Sequence, residues 1–239
     1  MKIFIAGATG AVGRPLCELL IADGHQVAGT TRKPARAHEL RTLGVEPVIV
    51  DVFDADALRT AVLAARPDVV IHQLTDLPPG LPPAEMEAAR VRNARIREHG
   101  TRNLVAAAIA AGAKRLIAQS IAFAYAPGPT PYREDAPLDP AAHAVASLEQ
   151  QVLAAPMIGI VLRYGRFYGP GTGFDTPSAA GGAVHVAAAA DAARRAVTRG
   201  AHGIYNVAEP CDALSSAKAN AELGWTPDFR SARNSPLEC

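Results

Sequence analysis

Three glycines near the start of the chain have the spacing of a phosphate cradle. Gly7-Ala8-Thr9-Gly10-Ala11-Val12-Gly13 follows the apolar run Lys2-Ile3-Phe4-Ile5-Ala6 and precedes an amphipathic stretch from Pro15 to Ala22. That order is strand, glycine turn, helix. Gly7 allows the tight turn, Gly10 lets the backbone approach a pyrophosphate with no Cβ in the way, and Gly13 lets the helix pack closely on the strand. The helix N-terminus then offers free N–H groups and the positive end of its dipole to the phosphates. The chemistry implied is dinucleotide binding by all seven residues of the turn; a purely structural glycine turn is the alternative.

A second chemical signal sits at the end of the next apolar run, Gly29-Thr30-Thr31-Arg32-Lys33. An NAD-specific site places an Asp or Glu there for the ribose 2′-hydroxyl, and that acid is missing. Arg32 could pair with a 2′-phosphate through its planar fork, so NADP is expected ahead of NAD; a solvated arginine before a helix is the bland alternative. Metal chemistry has no support. His72, His185 and His202 are scattered, and Cys17, Cys211 and Cys239 lie far apart, with neither a ligand spacing nor a disulfide framework. Cys17 reads as a small core residue.

The elements that must position these residues alternate along the chain. Strands are predicted at 2–6, 26–31, 46–50, 68–73, 114–118 and 157–163, with helices at 12–23, 35–43, 55–65, 84–111 and 140–155. Short links between them imply parallel strands and right-handed crossovers. Runs such as Asp68-Val69-Val70-Ile71 lack polar alternation, as expected when helices cover both faces. The fold class is therefore α/β, a doubly wound parallel sheet. Residues 1–170 are expected to form the dinucleotide-binding domain and 171–239 a small C-terminal substrate-side extension packed on it. That extension should hold a loop at 171–182, a helix at 186–199, a strand at 203–207 and a helix at 214–223.

Bulk properties narrow the partners. A formal net charge of +1 over 239 residues gives no basic patch, so nucleic acid is not expected. No apolar run reaches a membrane span, and a strand starting within two residues of Met1 leaves no room for a signal peptide. A cytoplasmic setting and a small-molecule substrate are the expectation. The helix at 84–111 is Arg-rich in its first half and Ala-rich in its second; it is read either as a solvated face plus a packed face or as a homodimer surface.

Further segments resemble the extended or atypical short-chain dehydrogenase/reductase group, in its nucleotide-sugar epimerase/dehydratase branch. Gly100-Thr101-Arg102-Asn103-Leu104-Val105 is similar to that group's GTxNL segment, and Arg115-Leu116-Ile117-Ala118-Gln119-Ser120 to its fifth strand. Leu162-Arg163-Tyr164-Gly165-Arg166-Phe167-Tyr168-Gly169-Pro170-Gly171 is similar to its LRxxxxYGPG segment. Val184-His185-Val186, Ile204-Tyr205-Asn206-Val207 and the Lys218 to Pro227 ending follow in the family's order. The resemblance implies that Asp51 and Val52 contact adenine, that Gln73 and Leu74 pass under the pyrophosphate and ribose, and that Ser120 and Tyr164 also line the cofactor.

The same resemblance exposes a loss. Glu149 matches a glutamate that follows the family's Tyr-x-x-x-Lys motif, which places Ala141 and Val145 at the tyrosine and lysine positions. Neither can move a proton. Ser120, Tyr125 and Tyr164 are the candidate substitutes, Tyr125 matching the tyrosine of the family's SSxxVYG segment. His143, on the helix that lost the motif, reads as a surface or packing residue. Two functions stay open: an oxidoreductase or epimerase-like enzyme moving a hydride at a carbonyl or secondary alcohol, with a nucleotide sugar as one possible substrate, and a non-catalytic NADP(H)-binding redox sensor.

Overall fold

Seven parallel strands form the sheet around which the chain winds, and the computed structural model describes residues 1–230. The strands are β1 (Lys2–Ala6), β2 (Gln26–Thr31), β3 (Glu46–Ile49), β4 (Val69–His72), β5 (Arg115–Ile121) and β6 (Ile158–Tyr164), then the short β7 (Arg166–Tyr168) and β8 (Ala183–His185), and finally β9 (Gly203–Val207). Spatial order in the main sheet is β3-β2-β1-β4-β5-β6-β9, while β7 and β8 pair apart from it. Strand order reverses between β1 and β4, which opens a crevice beyond their carboxyl ends, the place where such sheets bind ligands. The glycine turn leaves β1 at that point.

The helices are α1 (Gly13–Ala22), α2 (Ala37–Thr42), α3 (Ala55–Ala65), α4 (Pro83–Arg95), α5 (Thr101–Ala110), α6 (His143–Leu153) and α7 (Val186–Ala196). Leu16, Leu20, Leu40 and the alanines of α7 fill one face of the sheet; Leu58, Val62, Leu104, Leu148 and Val152 fill the other. Burial on both faces explains the unbroken apolar strands. In α7 small side chains allow close packing, and Asp191 is fully buried yet paired to Arg194 at 2.6 Å and Arg195 at 2.5 Å.

Several expected boundaries are corrected. The long helix at 84–111 is two α segments joined by a π-turn, Ile96–Gly100, where the Thr101 N–H reaches back to the Ile96 carbonyl. The helix expected from 140 starts at His143, because the Asp139 carboxylate accepts from the Ala141 N–H at 2.8 Å and holds a turn there. The strand expected to stop at 118 runs to Ile121 along β6. The helix expected at 214–223 shortens to one ending in a π-turn, Ala219–Leu223, stopped by Gly224 at φ +66°. The pair β7–β8 was not anticipated.

Beyond residue 170 the chain returns to the main sheet. β9 takes its ladder from β6, and α7 packs against α1, so the later residues complete the same core. Cys239 and the end of the expected C-terminal extension lie outside the described residues.

Candidate functional site

The three glycines have three different surroundings. Gly7 sits at φ +92°, and a Cβ there would lie 2.6 Å from the Gln73 carbonyl oxygen. A Cβ on Gly13 would lie 2.1 Å from the Gly7 carbonyl oxygen, so these two positions are held by packing. Gly10 is exposed, and only the Gly7 carbonyl, at 3.3 Å, stands near its missing Cβ. Its bare side therefore faces the crevice rather than the protein. The turn is kept in shape by Gly10 N–H donating to Gly7 O at 3.1 Å and by Gly7 N–H donating to Thr30 Oγ1 at 3.0 Å. Ala8 and Val12 are buried beneath it.

The rim comes from neighbouring strand ends. Arg32 leaves β2 with a half-exposed guanidinium, 3.5 Å from Asp76, which also stands 3.5 Å from Arg92. Asp51 is exposed and accepts from the Phe53 N–H at 3.0 Å; Val52 is buried beside it. His72 closes β4, its Nε2 3.0 Å from Thr101 Oγ1, and burial pushes its pKa down to about 4. The side-chain amide of Gln73 is buried with the Tyr164 phenol as its polar neighbour, and no well-formed hydrogen bond satisfies either amide atom among the described residues. A buried amide without a partner costs stability, so it marks a place where an outside polar group fits. Leu74 follows it, half-buried. Above the turn, Gly171 would set a Cβ 3.7 Å from Ala11, and Gly80 N–H donates to Thr172 O at 3.0 Å, so two loops meet over the crevice. An open turn, converging strand ends and an unpartnered amide fit a bound dinucleotide.

At the ends of β5 and β6 the arrangement is different. Ser120 is buried and donates to Glu149 Oε1 at 2.6 Å. Glu149 also takes a two-pronged bond from Arg163, at 2.9 and 2.7 Å. Arg163 in turn lies 4.9 Å from the centre of the Tyr125 ring. Tyr125 is stacked on Tyr132, with centres 5.0 Å apart, and donates to Asn206 Oδ1 at 2.5 Å. Burial raises its pKa above the ordinary tyrosine value, with Arg163 acting in the opposite sense. Tyr164 is wholly enclosed, its hydroxyl donating to the Ala189 carbonyl at 3.1 Å, and burial pushes its pKa up as well. Ala141 is exposed ahead of α6, and Val145 is buried within it. Of the three candidate substitutes, then, Ser120 is tied to a carboxylate, Tyr164 is inside the core, and Tyr125 reaches an open space.

That space is a cavity of about 160 Å³ whose walls include Tyr125, Tyr132, Phe123, Arg166 and Cys211. Sequence reasoning missed it. Arg166 stands inside the Leu162–Gly171 segment, but the residues around it come from three loops that only the fold brings together. Sequence reasoning also missed the Glu149–Arg163 pair, although each residue stood out singly in a family-like segment. Among the described residues no group of His, Cys, Asp and Glu could hold a metal ion, and no helix is long and apolar enough to cross a membrane.

Residues 7–199 match the family described as NAD(P)H-binding. A 3-diazoavenalumate denitrifying reductase from a Streptomyces species is 48% identical over 184 residues, which is 73% of this chain and 59% of that protein. A Schizosaccharomyces pombe protein is 39% identical over 72 residues, covering 30% of this chain and 24% of its own length. The chain thus spans less than two thirds of the length of these curated relatives. Among solved structures, a Thermus thermophilus UDP-glucose 4-epimerase in complex with NAD superposes with a TM-score of 0.78 at 22% identity, covering 98% of this chain and 96% of that one. A Thermotoga maritima UDP-glucose 4-epimerase with UDP-glucose gives 0.77 at 19% identity, covering 96% and 94%. The doubly wound sheet is therefore the fold of the NAD-dependent epimerases.

Proposed function

The chain belongs to the NAD(P)H-binding family, and from that premise we propose that it is an NAD(P)H-dependent reductase of a small electrophilic molecule. One observation carries the reading. The dinucleotide turn is intact, yet Ala141 and Val145 stand where the resemblance puts an acid–base pair, and Tyr125, one of two phenols lining the cavity, has its pKa raised by burial. Oxidation of an alcohol, and therefore epimerisation through a ketone, needs a base to take the hydroxyl proton. Reduction needs the opposite, a proton donor.

When bound, the reduced dinucleotide supplies a hydride to the electrophilic atom. Tyr125 turns its hydroxyl from Asn206 to the substrate oxygen and gives up the balancing proton, which water replaces. Gly10 admits the pyrophosphate, Asp51 and Val52 flank the adenine, and the Gln73 amide takes a polar group of the cofactor. Arg32 favours NADP over NAD by pairing with the 2′-phosphate. The relative that is named a reductase supports this direction of reaction. A homodimer through the 84–111 segment, where Val91 is 68% exposed, belongs to the same proposal and is checked by sedimentation.

The test is NADPH consumption with a panel of carbonyl compounds. Turnover should hold level from pH 7 to 9, because a phenol with a raised pKa stays protonated there, and Tyr125→Phe should lower kcat roughly a hundredfold. The missing pair also favours a second reading, a non-catalytic NADP(H) sensor. NADPH binding without turnover across the panel would select it.

A further inference from the structure

The cavity beyond β5 has a chemistry that names its ligand. Two of its walls are aromatic: the Tyr125–Tyr132 pair, whose rings stack on each other with a tilt of only 7° and with Arg163 over Tyr125, and the Phe123 ring, which is 47% exposed. A third wall is bare backbone at Gly181 and Gly182, whose φ values of +71° and +59° suit glycine. The shape is a slot. Into it comes one cation, Arg166, whose guanidinium lies 4.6 Å from the centre of the Phe123 ring. Among the described residues it has no carboxylate within ion-pair distance and no hydrogen-bond acceptor, while the nearby Arg163 is neutralised by Glu149. Cys211 and Leu214 complete the lining without adding charge.

Size and charge select among ligands. About 150 Å³ is enough for one benzene ring, and the cavity is about 160 Å³. A nucleotide sugar belongs to the roughly 300–1,000 Å³ class of pockets. A cationic ligand is repelled by Arg166. A lone phosphate would take the guanidinium and leave the aromatic walls unfilled. A flat ring with a carboxylate suits both: the ring packs against Phe123 and edge-on to the tyrosine pair, and the carboxylate takes the planar fork.

We propose that this slot binds a small aromatic carboxylate, its ring packed against Phe123 and the edge of the Tyr125–Tyr132 pair and its carboxylate on Arg166. The proposal names the substrate class of the same site, and it rests on the reductase reading for the chemical step alone, not for binding.

The experiment is calorimetric titration of the intact protein, with and without NADPH, using trans-cinnamate, cinnamamide, cyclohexanecarboxylate and UDP-glucose. Cinnamate should bind at least tenfold more tightly than the amide and more tightly than the non-planar acid. Arg166→Gln should weaken cinnamate roughly tenfold to a hundredfold and leave the amide unchanged. Arg166→Lys, which keeps the charge and loses the fork, should fall between. Circular dichroism confirms that both variants fold. Equal binding of acid and amide, indifference to Arg166, or preference for UDP-glucose would overturn the assignment. The failures separate cleanly. Cinnamate binding without any NADPH binding sinks the reductase reading and keeps the slot; NADPH binding without cinnamate binding does the reverse.

Discussion

The two ends of the crevice are built on opposite principles. At the β1–α1 end, backbone does the work: Gly7 and Gly13 are pressed against carbonyl oxygens, and Gly10 is left open with little beside it. At the β5–α6 end, side chains fill the space. Ser120, Glu149 and Arg163 satisfy one another in a buried cluster, with Arg163 and Glu149 side chains only 4% and 5% exposed. An open turn can accept a ligand, whereas a closed ionic cluster has no capacity left for one. The difference teaches that the two ends differ in spare capacity: the turn leaves room beside bare backbone, whereas the side chains at the other end are used up in packing and ion pairing.

The largest expected effect breaks the closed end. Glu149→Ala strands the Arg163 charge in the core and should cost about 3–5 kcal/mol in urea unfolding. The double change Glu149→Leu with Arg163→Met should recover most of that loss, since a buried pair and apolar residues of similar volume are often equivalent. Should the single change be harmless, the cluster is not the closed structure described.

The open end gives the complementary result. Gly10→Leu should weaken NADPH binding more than about a hundredfold, roughly 2.7 kcal/mol, while thermal stability changes little because only one carbonyl stands near the new side chain. A large loss of stability with binding preserved would reverse the contrast between the two ends.

His72, where the two ends meet, makes the comparison depend on pH. Its folded pKa is about 4 against an unfolded value near 6.5. The unfolded chain therefore takes up the proton first as pH falls, and this contribution is complete above pH ~6.5 and lost progressively down to pH ~4. Between pH 7 and 5 the loss should be about 2 kcal/mol. Denaturation curves of His72→Gln should lack that part of the slope.

The smallest effect sharpens the nucleotide end. Arg32 is half-exposed and shares Asp76 with Arg92, so its pairing with a 2′-phosphate is screened and contested. Arg32→Ala should weaken NADP binding by roughly tenfold and leave NAD unchanged; Asp76→Asn should strengthen NADP binding. Equal effects on both cofactors would reduce Arg32 to a surface residue.

Much of the fold was legible because its signals are local. The strand–glycine–helix order of residues 2–22 and the unbroken apolar strands depend on neighbours in sequence, and β1, β2 and β9 appear with the expected limits. Limits failed where a side chain or a distant strand intervened: Asp139 delays α6, and pairing with β6 extends β5 to Ile121.

By itself the sequence determined the alternation that makes a doubly wound sheet and the strand–glycine–helix order of its first turn. Each is set by residue type and short spacing. Only the tertiary structure decided that Glu149 closes on Ser120 and Arg163, that Tyr164 is enclosed while Tyr125 is not, and that Arg166 meets Phe123 and two glycines in a slot. Those outcomes depend on which strand ends lie side by side, and parallel crossovers bring together residues far apart in the chain, such as Tyr125 and Asn206.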